Sequence, residues 1–545
     1  MKRREFIKAA GVASSAALLK PNLVFADPRQ SAVYFDLHPF VAAHPEAVFI
    51  KLTNVSDKTA TAEKAQAGEE FGRELFVLSD EQGASAKSKI AIKPNLTCLG
   101  GSFSVPRMGI LTDGDFVGGF IEGMKDGVGM NGSQFYMREG NHLGDAYCSD
   151  NQSLEWYGPI AEKVGAHLMD LDSGRSMAEA KLANLEEGSE VIWREVPNGV
   201  IFNRIGYVAP LNAPDAFNIN IAKFKTHGMG VTLTSKNWQG TNIHPYVHYC
   251  ESLSKLTRGK PAAFVADVNP EFSDNVTALH AQHLEAGVPR WDRPGSDWNS
   301  GWGMEGWSQK TLDNLSASSM DLAVIEGIYG RDGNWMDGPH AGKSQDFLTN
   351  ILIFGKNPIK VDIIGHWLAG HEPGNFGLFH SAQTRGLTNT VNPHDIPIYN
   401  WESGQPARES LDSFTRTPLA TYYLQRDYAG QTEQKWHMVD ESYDYPATAV
   451  TSETDAVPQS FVLNQNYPNP FNASTLIEYR LPAAGNARIE IYNAQGQLVD
   501  VLVDSWHAGG AHVATWDAGQ RASGTYFYRF MTEGFQEARK MLLVR

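Results

Sequence analysis

Lys223, Lys225 and His227 stand two residues apart in the string Ile221-Ala222-Lys223-Phe224-Lys225-Thr226-His227-Gly228. In an extended strand that period puts all three on one face and Phe224 and Thr226 on the other. Two further segments place polar groups beside an apolar run: Lys93 and Asn95 in Ile92-Lys93-Pro94-Asn95-Leu96, and Thr234, Lys236 and Asn237 in Leu233-Thr234-Ser235-Lys236-Asn237-Trp238-Gln239-Gly240. The ammonium groups of Lys93, Lys223, Lys225 and Lys236, converging on one pocket, would hold a carboxylate, phosphate or other small anion. Asn95, Thr234 and Asn237 would orient it by directional hydrogen bonds. Glu326 and Asp362 occur in comparable settings, Val324-Ile325-Glu326-Gly327-Ile328 and Val361-Asp362-Ile363-Ile364-Gly365. With His227 these two acids would make an acid–base set or a mixed nitrogen–oxygen site for a divalent metal. The competing reading makes the same lysines and acids ion pairs that hold strand ends together.

The elements that must position these groups follow from hydrophobic period. Short apolar runs at 47–52, 88–92, 134–138, 166–170, 217–221, 322–325 and 351–354 predict strands, and helical spacing at 59–78, 115–125, 151–164 and 358–368 predicts helices between them. Such alternation implies an α/β layered domain with a largely parallel sheet, because parallel strands need a crossover to return the chain. Function in such sheets gathers at strand ends.

The strings Lys93-Pro94-Asn95, Lys223-Phe224-Lys225-Thr226-His227-Gly228 and Thr232-Leu233-Thr234-Ser235-Lys236-Asn237-Trp238-Gln239-Gly240, an acid before Gly327-Ile328, the glycine-rich loop ending Gly338-Pro339-His340-Ala341-Gly342, and Val361-Asp362 with Gly365 follow one another in order. Together they resemble the domain of unknown function 362 family over about 90–399. At Glu326 that family usually carries Asp. The resemblance implies iron–sulfur clusters in some members. Cys98, Cys148 and Cys250 lack the spacing for one, so that role is not carried over, and cofactors stay open apart from a divalent metal.

Both ends read as addresses. Residues 1–26 pair a basic start, Met1-Lys2-Arg3-Arg4-Glu5-Phe6-Ile7-Lys8, with a short apolar run and Val24-Phe25-Ala26, and they resemble a twin-arginine signal. Residues 460–545 alternate apolar and polar positions in short runs between turns, which predicts an all-β, immunoglobulin-like sandwich of about seven strands. Phe461-Val462-Leu463-Asn464-Gln465-Asn466-Tyr467-Pro468-Asn469-Pro470-Phe471-Asn472, Ser523-Gly524-Thr525-Tyr526-Phe527 and the closing Lys540-Met541-Leu542-Leu543 resemble a type A C-terminal sorting domain of type IX secretion. The resemblance implies twin-arginine and type IX export machineries as partners and a secreted or outer-cell-surface location reached through the periplasm. An acidic linker at 431–459 separates this address from the α/β body at 27–430.

The chain has 545 residues, with 46 Lys plus Arg against 62 Asp plus Glu for a net charge of −16, which offers no global field for nucleic acid. No apolar run reaches the roughly 20 residues of a membrane span. A P-loop, a nucleophile elbow and a Rossmann glycine fingerprint are absent. Trp291, Trp298, Trp302 and Trp307, with Trp335 in a second glycine-rich loop, read as polar-loop tryptophans that either cover the core or form a platform for a glycan. Two functions therefore stand: an enzyme for a small anionic substrate, and a non-catalytic surface protein that binds glycan.

Overall fold

The computed structural model describes residues 35–79, 88–96, 109–139, 152–168, 185–227, 230–243, 253, 256–260, 262–296, 300–333, 337–421, 436, 438, 442–445, 461–463, 465–466, 469, 471, 474–482, 485–507, 510–519, 521–532 and 534–544. The signal at 1–26, most of the linker at 431–459, the three cysteines, Trp298 and Trp335 lie outside them. By its contacts the chain divides after Val33, and Tyr34–Arg545 forms the second unit.

The body is built on a mixed ten-stranded sheet. Its strands are β1 (Val48–Leu52), β2 (Lys89–Pro94), β3 (Phe135–Met137), β4 (His167–Leu168), β7 (Ala216–His227), β8 (Gly230–Thr232), β9 (Leu322–Arg331), β10 (Asp346–Gly355), β11 (Ile398–Glu402) and β12 (Gln405–Arg408); β5 (Val191–Glu195) and β6 (Arg204–Val208) form a separate hairpin. The order is β12-β11-β1-β10-β9-β7-β2-β3-β4, with β8 folded back on β7. Neighbours from β9 through β4 pair in parallel, as the alternation of strand and helix predicted, whereas β10 is antiparallel to both β9 and β1.

Helices α1 (Thr61–Leu75), α2 (Gly114–Val128) and α3 (Gln152–Val164) lie in sequence among β1 to β4. Residues of α1 to α3 share one core with Ile90, Ile92, Ile219 and Ile221. The opposite core holds Ala91, Phe224 and Trp238, with residues of α6 (Gly301–Ser316) and α7 (Pro358–Leu368). Helices α1 and α2 cross at backbone contact: a Cβ on Gly119 would lie 1.9 Å from the Ala65 carbonyl oxygen, so only glycine fits there.

Two sequence expectations change. The tryptophan-rich segment is not loop throughout: Trp302 and Trp307 lie on α6, which Ser300 starts by accepting the Gly303 amide on its side chain. Strands β7, β9 and β10 also extend beyond their apolar cores, because each continues into residues whose polar side chains find partners at the sheet end.

The C-terminal part is antiparallel and all-β. A three-stranded sheet holds β13 (Val462–Leu463), β14 (Ser474–Leu481) and β17 (Gly510–Asp517). A four-stranded sheet runs β16 (Leu498–His507), β15 (Gly485–Asn493), β18 (Gly524–Thr532), β19 (Phe535–Leu543). Tyr526, Tyr528 and Phe530 alternate inward along β18 onto a core shared with Ile477, Ile489 and Trp516.

Candidate functional site

Strands β2 and β7 are parallel neighbours whose chain ends leave for opposite faces of the sheet. From β2 the chain runs to α2, packed on one core, and from β7 to the short helix α4 (Thr234–Trp238), packed on the other. In open parallel sheets, ligands bind beyond the carboxyl ends of the strands at such a switch. Lys93 lies near the end of β2 with Asn95 just beyond the strand, and Lys223, Lys225 and His227 end β7.

Alternation along β7 holds to its end. Phe224 joins one core and Ile221 the other, so Lys223 and Lys225 continue the Ile219–Ile221 face. Lys223 pairs in register with Glu326 on β9, and its Nζ donates to both carboxylate oxygens at 2.9 and 2.7 Å. Backbone N–H groups of Asp113 and Ile328 complete that carboxylate. The result is a closed, fully buried pair behind the strand end.

Lys93 faces the other way, with Ala91, and closes a second knot. Its Nζ donates to Glu139 Oε2 at 2.7 Å, to the Pro94 carbonyl at 2.6 Å and to Asn237 Oδ1 at 3.2 Å. Asn237 donates in turn to Asn220 and to the Lys93 carbonyl. Burial pulls the Lys93 amine below the usual lysine range, with Glu139 opposing that shift and Lys236 adding to it. Gly240 closes over this knot: a Cβ there would meet Glu139 Oε1 at 2.3 Å and Lys93 Cε at 2.8 Å.

Asp362, on α7, receives the Thr234 and Ser235 amides at 2.8 Å each and the Thr234 hydroxyl at 2.5 Å. It thereby holds the start of α4, which carries Lys236 and Asn237. Burial outweighs these hydrogen bonds and pushes its carboxyl up to about 6.

Lys225 differs. It is buried, and its Nζ donates to the Asn95 side-chain oxygen at 3.2 Å and to the Ile110 carbonyl at 2.7 Å. Burial and the positive charges of Lys236, Arg331, Lys223 and Lys93 together hold its amine well below the usual lysine range. His227 lies in the same field: burial, then Lys236 and Lys225, push its imidazole well below its ordinary value, so the ring is neutral at pH 7. Lys236 and His227 remain partly open to solvent.

The ten expected side chains thus sort into two groups. Lys225, Lys236, His227 and Asn95 lie near one another at the carboxyl ends of β2 and β7, and Lys93, Lys223, Glu326, Asp362, Thr234 and Asn237 form a hydrogen-bonded frame beside them. Among the described residues no three His, Cys, Asp or Glu side chains are arranged to hold a metal ion. Sequence reasoning missed Glu139, Asp113 and Arg331. Glu139 carried a usable signal, because it follows the apolar run of β3 just as Lys93 extends that of β2.

Trp291 and Trp307 are buried. Trp302 is half-buried and lines a shallow cleft of about 580 Å3 with His280, Leu284, Asp292 and Arg293.

Residues 90–366 match the family model described as domain of unknown function (DUF362), a span that contains every candidate residue above. The chain belongs to this family. The DUF362 body is followed by a match to the secretion system C-terminal sorting domain at residues 465–544, which marks a protein secreted to the cell surface by type IX machinery. Among the described residues no helix is long and apolar enough to cross a membrane. No curated protein matches the chain. Two solved structures from Porphyromonas gingivalis show local likeness. Dimeric latent PorU is 24% identical with a TM-score of 0.14, over 16% of this chain and 9% of that one. PorZ, titled an essential bacterial surface component of the type IX secretion system, is 15% identical with a TM-score of 0.12, over 17% of this chain and 13% of that one. The DUF362 chain therefore spans only a small part of either.

Proposed function

We propose that the body binds a small anion, a carboxylate or phosphate, in the crevice beyond β2 and β7, and acts on it as an enzyme with His227 as the proton acceptor. One observation carries the reading: the buried Lys225 amine lies in a field of four other cations, Lys236, Arg331, Lys223 and Lys93. Lys223, Lys93 and Arg331 are ion-paired with Glu326, Glu139 and Asp346, so an anion there would be drawn chiefly by Lys236 and would meet donors from Lys225 and Lys236. A neutral imidazole beside it is in the form that accepts a proton. Glu326 and Asp362 act as positioning residues, the first by neutralising Lys223 and the second by fixing α4.

A divalent metal on His227, Glu326 and Asp362 has less support, because the described carboxylate oxygens are already occupied by N–H and O–H donors. The glycan reading rests on the cleft beside Trp302, whose half-buried ring offers one apolar face. We assign export to the twin-arginine signal at 1–26, then the periplasm, then the type IX route.

Thermal unfolding of the full chain in phosphate, sulfate and a dicarboxylate at matched ionic strength tests the anion reading. One anion class should raise the midpoint selectively, and Lys225→Met should abolish the rise. Equal effects of all salts, or a rise that survives in Lys225→Met, would refute it.

A further inference from the structure

A second constellation lies in the sandwich and owes nothing to the lysine crevice. His507 ends β16, His512 lies on β17, and Tyr479 on β14 stands opposite His512 in the antiparallel pairing. Strands β14 and β17 belong to the three-stranded sheet and β16 to the four-stranded one, so these groups meet where the chain crosses between sheets. The two Nδ1 atoms are 3.3 Å apart. The Tyr479 hydroxyl is 3.2 Å from His507 Nδ1, and the other ring nitrogen of His507, Nε2, is 2.9 Å from Ser505 Oγ. The imidazole planes cross at 72° with centroids 4.7 Å apart, and Tyr479 stacks on His512 at 5.5 Å.

We propose that His507 and His512 form a cross-sheet chelate for a divalent transition metal of the zinc type. Nitrogen ligands stand roughly 2.0–2.1 Å from zinc, so two of them at a tetrahedral angle are about 3.3 Å apart. The two Nδ1 atoms already have that separation. In the tautomer that donates Nε2–H to Ser505 Oγ, His507 Nδ1 carries a lone pair, and a metal bound there would displace the Tyr479 hydroxyl that now donates to it. An outer hydrogen bond like that to Ser505 is what orients ligating histidines in metal sites. Both rings are partly open to solvent, which leaves room for water to complete the coordination. The bound ion would tie the two sheets together at their crossing point.

The close approach has one competing explanation, an N–H···N hydrogen bond between two neutral imidazoles. Calorimetric titration of Zn2+ into the demetallated full chain separates the two. The chain has 17 histidines, so the comparison is with His507→Ala, His512→Ala and Ser505→Ala rather than with zero binding. One equivalent of Zn2+ present in the unaltered chain should vanish in either histidine variant and weaken about tenfold in Ser505→Ala, which removes only the outer partner of an exposed residue. Zn2+ should also raise the unfolding temperature of the unaltered chain and of neither histidine variant. Equal zinc stoichiometry in all four proteins, or none in any, would assign the pair to a hydrogen bond and overturn the proposal.

Discussion

Lys223 and Glu326 are drawn together by register: they stand opposite each other on parallel strands and are fully buried. Removing one partner of such a pair leaves an uncompensated charge, so Glu326→Gln should destabilise the body by about 3–5 kcal/mol in urea unfolding. Asp362 makes a prediction about pH. Its folded carboxyl is raised from 3.8 to about 6, so the stability it contributes is complete below the unfolded value and is lost as pH rises through the folded one. That loss amounts to about 3 kcal/mol. Asp362→Asn should remove this slope between pH 4 and 7, and unfolding curves across that range would show whether it does. The period-two spacing of Lys223, Lys225 and His227 was legible as a shared face. That Lys93 faces the other core, and that Glu139 partners it, was not, because both depend on which strands become neighbours.

Strand β7 shows what hydrophobic pattern conveys and what it leaves out. Its apolar core at 217–221 was readable, but the strand runs to His227 because β9 on one side and β8 on the other supply pairing that the local sequence cannot announce. Helix α7 was legible to the residue, since Asn357 caps it and Pro358 occupies its first turn. Helix α6 was hidden by three glycines, Gly301, Gly303 and Gly306, which depress helix propensity but allow close packing: a Cβ on Gly306 would meet Leu253 Cδ1 at 1.8 Å. The turn after α4 obeys the same logic. Gly240→Ala would press on Glu139 and Lys93, so this variant should lose both midpoint stability and anion binding, measured side by side on the purified chain.

At the level of the whole chain, charge and address divide the work. The net charge of −16 coexists with a cluster of cations around Lys225, so attraction of the proposed anion must be short-ranged and should weaken with salt. The sorting domain was the most legible part, because its motifs run in order through a segment of β-period. The activity of the body was the least, because its frame and its crevice use the same residue types. Deleting 460–545 should keep the body from the cell surface, and replacing Arg3 and Arg4 by Lys should stop export before that step; fractionation with an antibody to the body reads both.

An anion entering the crevice must raise the proton affinity of His227 and Lys225, since it offsets the cations that now depress both. Calorimetric titration of the stabilising anion, repeated in buffers of different ionisation enthalpy, measures binding and proton transfer together. The expected result is one saturable site with net proton uptake, weakened about tenfold or more in Lys225→Met, the scale of a lost charged hydrogen bond, and with reduced uptake in His227→Gln. Absence of saturable binding, or binding of equal strength in Lys225→Met, would contradict an anion site at the ends of β2 and β7.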